Sequence, residues 1–292
     1  MKSKLLLTTV LGFFCTVLAT GQNQPTVPIY RVTVVDRTVS AVDYQYRNGP
    51  TNIDFRGTVL LPQSKGGAIV ESKAGRVEID ARFDRLQAPT RYGREYLTYV
   101  LWAITPDGHA KNLGEILPGS SDKARLQVTT DLQAFGLIVT AEPYSAVRQP
   151  SDVVVLENQP RPDTIGGTEP IQAKYELLPR GHYTYNVEAG RAAADAPGVK
   201  LSAGQYQSVV ELYEAQNAVQ IAQSAGSGRY APDTLAKAQD QLRQAQAALD
   251  RKAGMSVVVT LARQAAQTAE DARILAMQRQ QGDQLAQARE QA

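Results

Sequence analysis

Cysteine and histidine are almost missing from this chain, and their scarcity excludes several kinds of chemistry. The only cysteine is Cys15, and the two histidines are His109 and His182. Cys15 lies in an N-terminal apolar stretch that we expect to be removed on export, so no thiol would then remain for a disulfide, thiol catalysis or a zinc–thiolate site. The histidines lack the close spacing of a metal-binding pair. We therefore expect no metal and no cofactor.

Motifs for catalysis and phosphate binding are missing as well. Gly66-Gly67 and Gly166-Gly167 are not followed by the lysine and helix of a phosphate-binding loop, and no serine lies in a Gly-x-Ser-x-Gly sequence. Glu78, Asp80 and Asp84 alternate with apolar residues beside an arginine, so surface salt pairing explains them better than a glycosidase-like acid–base pair. We predict that the chain is not an enzyme.

The charges of the two signs nearly cancel. Lysine and arginine number 31 against 29 aspartate and glutamate, which gives a formal net charge of +2. Nucleic acids and anionic membranes attract strongly basic surfaces. The composition therefore favours neither of them as a partner.

The N-terminal apolar segment is too short to anchor the protein in a membrane. Two lysines precede the run Leu5–Ala19, which has 15 residues, whereas about 20 are needed to cross a bilayer. This pattern is typical of a secretory signal peptide, which we assign to residues 1–21 with cleavage after Ala19 or Gly21. We therefore expect an exported protein with no transmembrane span in the mature chain.

Residues 22–157 have the pattern of a β-domain. Val77–Asp84 alternates strictly between apolar and charged residues, as in a half-buried strand. Tyr96–Ile104 is apolar almost throughout and contains Trp102, which predicts a central strand buried on both faces. At least seven closely spaced strands without an intervening helical period favour an antiparallel sandwich or barrel.

Residues 158–201 are rich in proline and glycine and are interpreted as a linker. A short extended piece around Ala173 to Leu178 is expected to pair with an edge of the β-domain. Residues 202–292 are rich in alanine and glutamine instead, which predicts a helical region. The fold class is therefore α+β with separate regions, an N-terminal antiparallel β-sandwich followed by a C-terminal helical hairpin or coiled coil.

Three helices are predicted in the C-terminal region, over Ser202–Ser224, Pro232–Arg251 and from Ser256 onward. Apolar residues at alternating spacings of three and four predict a seam between the second and third helices. The larger seam residues are Leu235, Leu242, Leu249, Val258, Leu261 and Leu275. The third helix has no clear stop, so it projects as a spacer, pairs with another copy, or continues into a longer chain.

Arginines and tyrosines mix just before the apolar run. Arg91, Tyr92, Arg94 and Tyr96 form a candidate surface for a ligand or partner, because such side chains are common at binding surfaces. The alternative is that these tyrosines only cap the core of the β-domain.

Four segments of the β-domain resemble a known family. Tyr99–Gly108, Asn112–Gly114, Phe135–Pro143 and Pro150–Val154 are similar to the extracytoplasmic domain of K-type anti-sigma factors. That domain is a small β-sandwich, so the resemblance implies a fold. It does not imply regulation, because this chain lacks the transmembrane helix and sigma-binding segment of such regulators.

The helical region resembles a second family. Tyr230–Ala238 and the alanine-rich helices after it are similar to a helical-hairpin module of bacterial envelope proteins. In many proteins of the OmpA family this module precedes a peptidoglycan-binding domain. The chain thus resembles the N-terminal portion of such a protein, without the peptidoglycan-binding domain.

These patterns together predict a non-enzymatic structural or assembly protein. We expect a periplasmic or outer-membrane-associated spacer or scaffold whose partner is an envelope protein or cell-wall component. Self-association through the C-terminal helix is a further expectation. The alternative is a secreted β-sandwich that binds a glycan or protein ligand.

Overall fold

The computed structural model describes residues 37–44, 49–118, 122–164, 168–173 and 203–291. The strands are β1 (Arg37–Asp43), β2 (Thr51–Gly57), β3 (Lys65–Lys73), β4 (Arg76–Asp84), β5 (Thr98–Ile104), β6 (Ala110–Ile116), β7 (Ala124–Thr130), β8 (Ala134–Glu142), β9 (Val154–Pro160) and β10 (Thr168–Ala173). The long helices are α1 (Ala203–Ser224), α2 (Pro232–Asp250) and α3 (Met255–Gln291). The predicted signal peptide lies outside the described residues.

Antiparallel pairing joins the strands into one curled sheet. The order is β6-β5-β8-β9-β2-β3-β4-β7, with β1 attached to the start of β8 and β10 attached to β1. The two end strands of this order, β6 and β7, lie close together. A Cβ atom built on Gly114 of β6 would lie 3.5 Å from Cγ1 of Val128 on β7. The predicted fold class, an antiparallel β-domain followed by a helical region, is confirmed.

In strand β4 apolar residues alternate with charged ones, and the apolar residues point into the inner core of the sheet. Its four apolar residues, Val77 to Phe83 in steps of two, are at most 3% exposed. Between them Asp80 accepts two hydrogen bonds from Arg125 on β7, at 2.8 and 2.7 Å. This guanidinium lowers the pKa of the Asp80 carboxyl. Glu78 and Asp80 of this strand thus form surface salt pairs, as the sequence indicates.

Strand β5 is buried on both faces, as predicted. Its odd-numbered residues from Tyr99 to Ala103 join the inner core of the sheet, whereas Val100, Trp102 and Ile104 join a second cluster that includes helical residues. All seven residues of the strand are buried. The helical region of the same chain therefore covers the second face of this strand.

Strand β10 lies within the segment interpreted as a linker. It pairs with β1 from Thr168 opposite Val42 to Ala173 opposite Arg37. Pro170 is tolerated there because an edge strand does not need a donor on its outer side. The extended piece was expected around Ala173 to Leu178, of which only Ala173 falls within the described residues.

The helix bounds agree closely with the expected ones. Pro232 begins α2 and Asp233 lies in its first turn. Gly282 does not end α3, which continues to Gln291, because one glycine costs only about 1 kcal/mol in a helix. α3 packs along both α1 and α2.

Alanine fills the contact between the helices. Leu235 and Val258 of the predicted seam are buried at 6% and 1% exposure, while Leu242, Leu249, Leu261 and Leu275 are half-buried and pack against the same cluster. The most deeply buried helical alanines are Ala215, Ala222, Ala238, Ala245, Ala248, Ala262, Ala265, Ala269, Ala272 and Ala276. Small side chains allow this close approach of helical backbones.

Replacing Ala265 by leucine is expected to destabilise the protein by about 1–3 kcal/mol, because the added atoms overpack a closed contact. Ala265 is 0% exposed. Urea unfolding measures the change. Ala236→Leu is the matched control, since Ala236 is exposed on α2 and the two residue types have similar helix propensity. Equal stability of the two variants would contradict tight packing at residue 265.

Candidate functional site

The predicted surface of arginines and tyrosines is only partly a surface. Arg91 and Arg94 are exposed and Tyr92 is half-buried. The Tyr92 hydroxyl donates to the carbonyl of Leu60 at 3.2 Å, and the Arg91 guanidinium lies 5.5 Å from the Tyr92 ring centroid. Tyr96 is 0% exposed in the inner core, so it cannot share a binding surface with the other three.

A different set of residues forms the most unusual site of the molecule, the interface between the sheet and the helices. None of residues 207–222 of α1 is exposed, because this helix packs against both the sheet and α3. The apolar part of the interface combines β-domain residues Val100, Trp102, Ile138, Tyr144 and Val154 with helical residues Leu212, Ala215, Ala218, Ala265 and Ala269. Several charged side chains are buried at the same interface.

Glu270 on α3 is the centre of one buried network. It is 0% exposed and forms two hydrogen bonds with the Arg273 guanidinium, at 2.7 and 2.8 Å. The Tyr144 hydroxyl donates to Glu270 Oε2 at 2.6 Å, and the backbone N–H of Arg148 donates to Oε1 at 3.1 Å. This carboxylate therefore connects α3 to the segment between β8 and β9 with its charge fully compensated.

Further polar contacts fix α1 to the same edge. The Asn217 amide donates to the carbonyls of Glu95 and Pro143, at 3.2 and 3.1 Å. The backbone N–H of Ser145 donates to Oε2 of Glu214 at 2.7 Å. Because these donors and acceptors lie on opposite sides of the interface, they specify one position of the helices on the sheet.

Three glutamates and one arginine meet beside β6. Arg263 on α3 donates to Glu211 on α1 at 2.7 Å and to Glu115 on β6 at 2.8 Å. Glu211 and Glu214 are each 1% exposed, and both lie close enough to Glu115 for its negative charge to act on them. Burial, followed by the charge of Glu115, raises the pKa of Glu214 well above its usual range. Burial also raises the pKa of Glu211.

Glu142 at the end of β8 is the second buried acid without a cation. Its Oε1 accepts hydrogen bonds from the Ser151 backbone N–H at 2.8 Å and from the Thr140 hydroxyl. Its Oε2 has no hydrogen-bond partner among the described residues. Burial raises the pKa of Glu142 to about 8. Thr140 in turn accepts the indole N–H of Trp102 at 2.7 Å, so this acid is linked to the centre of the interface.

The buried glutamates of this site can hold protons and connect the helices to the sheet. In the part of the chain that the structure describes, no group of three or more histidine, cysteine, aspartate or glutamate residues is arranged to hold a metal ion. Glu142, Glu211, Glu214 and Glu270 are buried. Sequence reasoning missed them because charged residues are normally exposed.

The comparisons with known proteins concern the helices. A family described as "Domain of unknown function (DUF4398)" matches residues 210–288. The chain is similar to that family over most of α1, all of α2 and most of α3, and the matched range includes Glu211, Glu214 and Glu270. No curated protein and no solved structure matches the chain. No α-helix within the described ranges is both long and apolar enough to cross a membrane.

Proposed function

We propose that this chain is a non-enzymatic structural or assembly protein of the bacterial cell envelope, a periplasmic spacer or scaffold associated with the outer membrane or cell wall. The observation that carries the proposal is the arrangement of α3. Near Glu270 this helix is attached to the β-domain by buried hydrogen bonds, whereas residues 281–291 are exposed. A globular domain with a projecting helix suits a protein that sets a distance between two envelope components.

The dimensions and the sequence support the same assignment. The 37 residues of α3 extend roughly 55 Å at about 1.5 Å per residue. The first 21 residues have the pattern of an export signal. The resemblance of Tyr230–Ala238 and the following helices to a hairpin module of OmpA-family proteins points to an envelope protein or cell-wall component as the partner.

Cell fractionation tests this proposal with two chains. The full chain and a chain ending at Gln280 are each expressed with the signal peptide in a Gram-negative host. The full chain is expected to lose its signal peptide and to sediment with the envelope, because the exposed end of α3 makes the attachment. The shortened chain is expected in the soluble periplasmic fraction with unchanged folding. Cytoplasmic retention of both chains, or identical sedimentation of the two, would overturn the proposal.

A groove on the β-domain favours a second candidate function, binding of a glycan or protein ligand. The groove measures about 510 Å³ and is lined by Ile69, Glu71, Glu78, Ile79, Asp80, Gln127, Val128 and Thr129. None of these residues belongs to the cluster that packs against the helices, so the groove stays open when the helices are docked. Binding of the full chain to a glycan array, abolished by Gln127→Trp, would support this candidate. Absence of binding would count against a glycan ligand.

A further inference from the structure

We propose that the buried glutamates between the sheet and the helices form a proton-controlled latch, which holds the helices on the β-domain at acidic to neutral pH and releases them at alkaline pH. The proposal concerns the coupling of the two regions and does not depend on the proposed envelope function. Its basis is an excess of buried carboxyl groups over cations at the interface.

The first part of the latch is the cluster beside β6. Glu115, Glu211 and Glu214 face one cation, Arg263, which makes its hydrogen bonds to Glu115 and Glu211. Glu214 is 1% exposed and makes no bond to a cation: its Oε2 accepts the Ser145 N–H at 2.7 Å, and its Oε1 has no hydrogen-bond partner among the described residues. Ionised Glu214 would therefore be a buried negative charge beside Glu115 and Glu211, with the nearby cation already bonded to those two. The docked state therefore requires a neutral carboxyl group here.

The second part of the latch is Glu142. The Glu270 carboxylate has the same sign as ionised Glu142, and its effect on Glu142 is repulsive. The cation near Glu270 is Arg273, which already bonds both oxygens of Glu270. Arg148 also lies on this side, where its guanidinium pairs with Asp271. Ionised Glu142 would therefore be a buried anion without a cation, and it would favour a state in which the helices move away and water enters.

The direction of the pH dependence follows from these carboxyl groups. The unfolded or released glutamate loses its proton near its ordinary pKa of 4.5, whereas burial raises the pKa of docked Glu142 to about 8. A raised carboxyl pKa means that the docked state binds the extra proton between these values. The stabilisation is therefore fully present below about pH 4.5 and is lost as the pH rises through about 8.

Trp102 makes the release measurable. It is the only tryptophan of the chain, it is 0% exposed, and its side chain belongs to the apolar cluster shared with α1 and α3. Release of the helices uncovers its face of β5. A collisional quencher such as acrylamide then reaches the indole ring.

The experiment is a reversible pH titration of the full chain between about pH 5 and about pH 9, with acrylamide quenching of Trp102 and far-UV circular dichroism recorded together. We expect a several-fold rise in the quenching constant on the alkaline side while the helical signal is retained, and recovery on return to acid. The double variant Glu142→Gln/Glu214→Gln mimics the neutral carboxyl groups and should keep the low quenching constant throughout. Glu290→Gln, an exposed position on α3, should behave like the original chain.

Three results would overturn the latch. They are a quenching constant of the original chain that is independent of pH, a rise that occurs together with complete loss of helical signal, and a rise in the double variant at the same pH as in the original chain. The first two need no variant, so they decide the proposal even if the double variant does not fold.

Discussion

Replacing Glu270 by alanine is expected to lower the free energy of unfolding by about 3–5 kcal/mol, since it removes one partner of a buried ion pair. Arg273 is 3% exposed and would keep its charge without a carboxylate. The Tyr144 hydroxyl and the Arg148 N–H would also lose their acceptor. Urea unfolding followed by Trp102 fluorescence measures the loss.

Two further variants separate the network from a general effect of losing a carboxylate. Glu290→Ala removes a carboxylate from the exposed end of α3 and should change the unfolding free energy by less than about 0.5 kcal/mol. The double variant Glu270→Leu/Arg273→Met removes both charges and should recover part of the loss, because no unpaired charge remains buried. A loss for Glu270→Ala no larger than that for Glu290→Ala would show that this network does not hold the helices.

Ending the chain at Ala173 is expected to have the second largest effect, because it removes the whole helical region. The face of β5 that carries Val100, Trp102 and Ile104 would then meet water. Such a fragment should self-associate, since contiguous apolar patches larger than a few hundred Å² are rare on monomeric proteins. Size-exclusion chromatography and the emission wavelength of Trp102 measure the result, with a shift to longer wavelength in any fragment that remains monomeric.

A chain ending at Gln280 is the matched control for this truncation. It lacks only the exposed end of α3, so it should remain as stable as the full chain and keep the Trp102 emission unchanged. If the chain ending at Ala173 were monomeric with the emission of the full chain, the helices could not be the cover of this face. The β-domain would then be an independent module, as the binding-module alternative requires.

The fold was predictable from the sequence where one pattern dominates a segment. The alternation of apolar and charged residues in Val77–Asp84 predicts the half-buried strand β4. The apolar run Tyr96–Ile104 predicts a strand that is buried on both faces. The spacing of small and apolar residues predicts the helices and their seam. These signals arise from local geometry, in which side chains repeat every two residues in strands and about every 3.6 in helices.

The interface was not predictable, because it depends on which distant segments meet. The apolar run of β5 requires a cover on its second face, yet nothing in that run says that α1 provides it. Glu142, Glu214 and Glu270 look like ordinary surface acids in the sequence. One signal was available in α1, where apolar residues surround Glu211 and Glu214 on all sides of the helix and leave no purely polar face. A helix that is apolar all round is usually buried on more than one side.

The docking of the helices changes how a spacer would work. A helix attached only through a flexible linker would have no fixed direction relative to the β-domain, because such a linker allows many orientations. Here α1 and α3 are bound to the β-domain by Asn217, Glu214 and Glu270, so the direction of α3 is specified by the β-domain. Loss of the latch proton would remove that restraint without removing the helices.

The most direct test of this account is thermal unfolding near pH 6, recorded by two signals on the same sample. Far-UV circular dichroism at the helical band reports mainly on α1, α2 and α3, while Trp102 fluorescence reports on β5 at the interface. All described residues belong to one compact unit, and the account predicts a single cooperative transition with the same midpoint for both signals. Two well-separated midpoints, with helices melting while Trp102 stays buried, would contradict the central claim that the helices are the cover of the sheet.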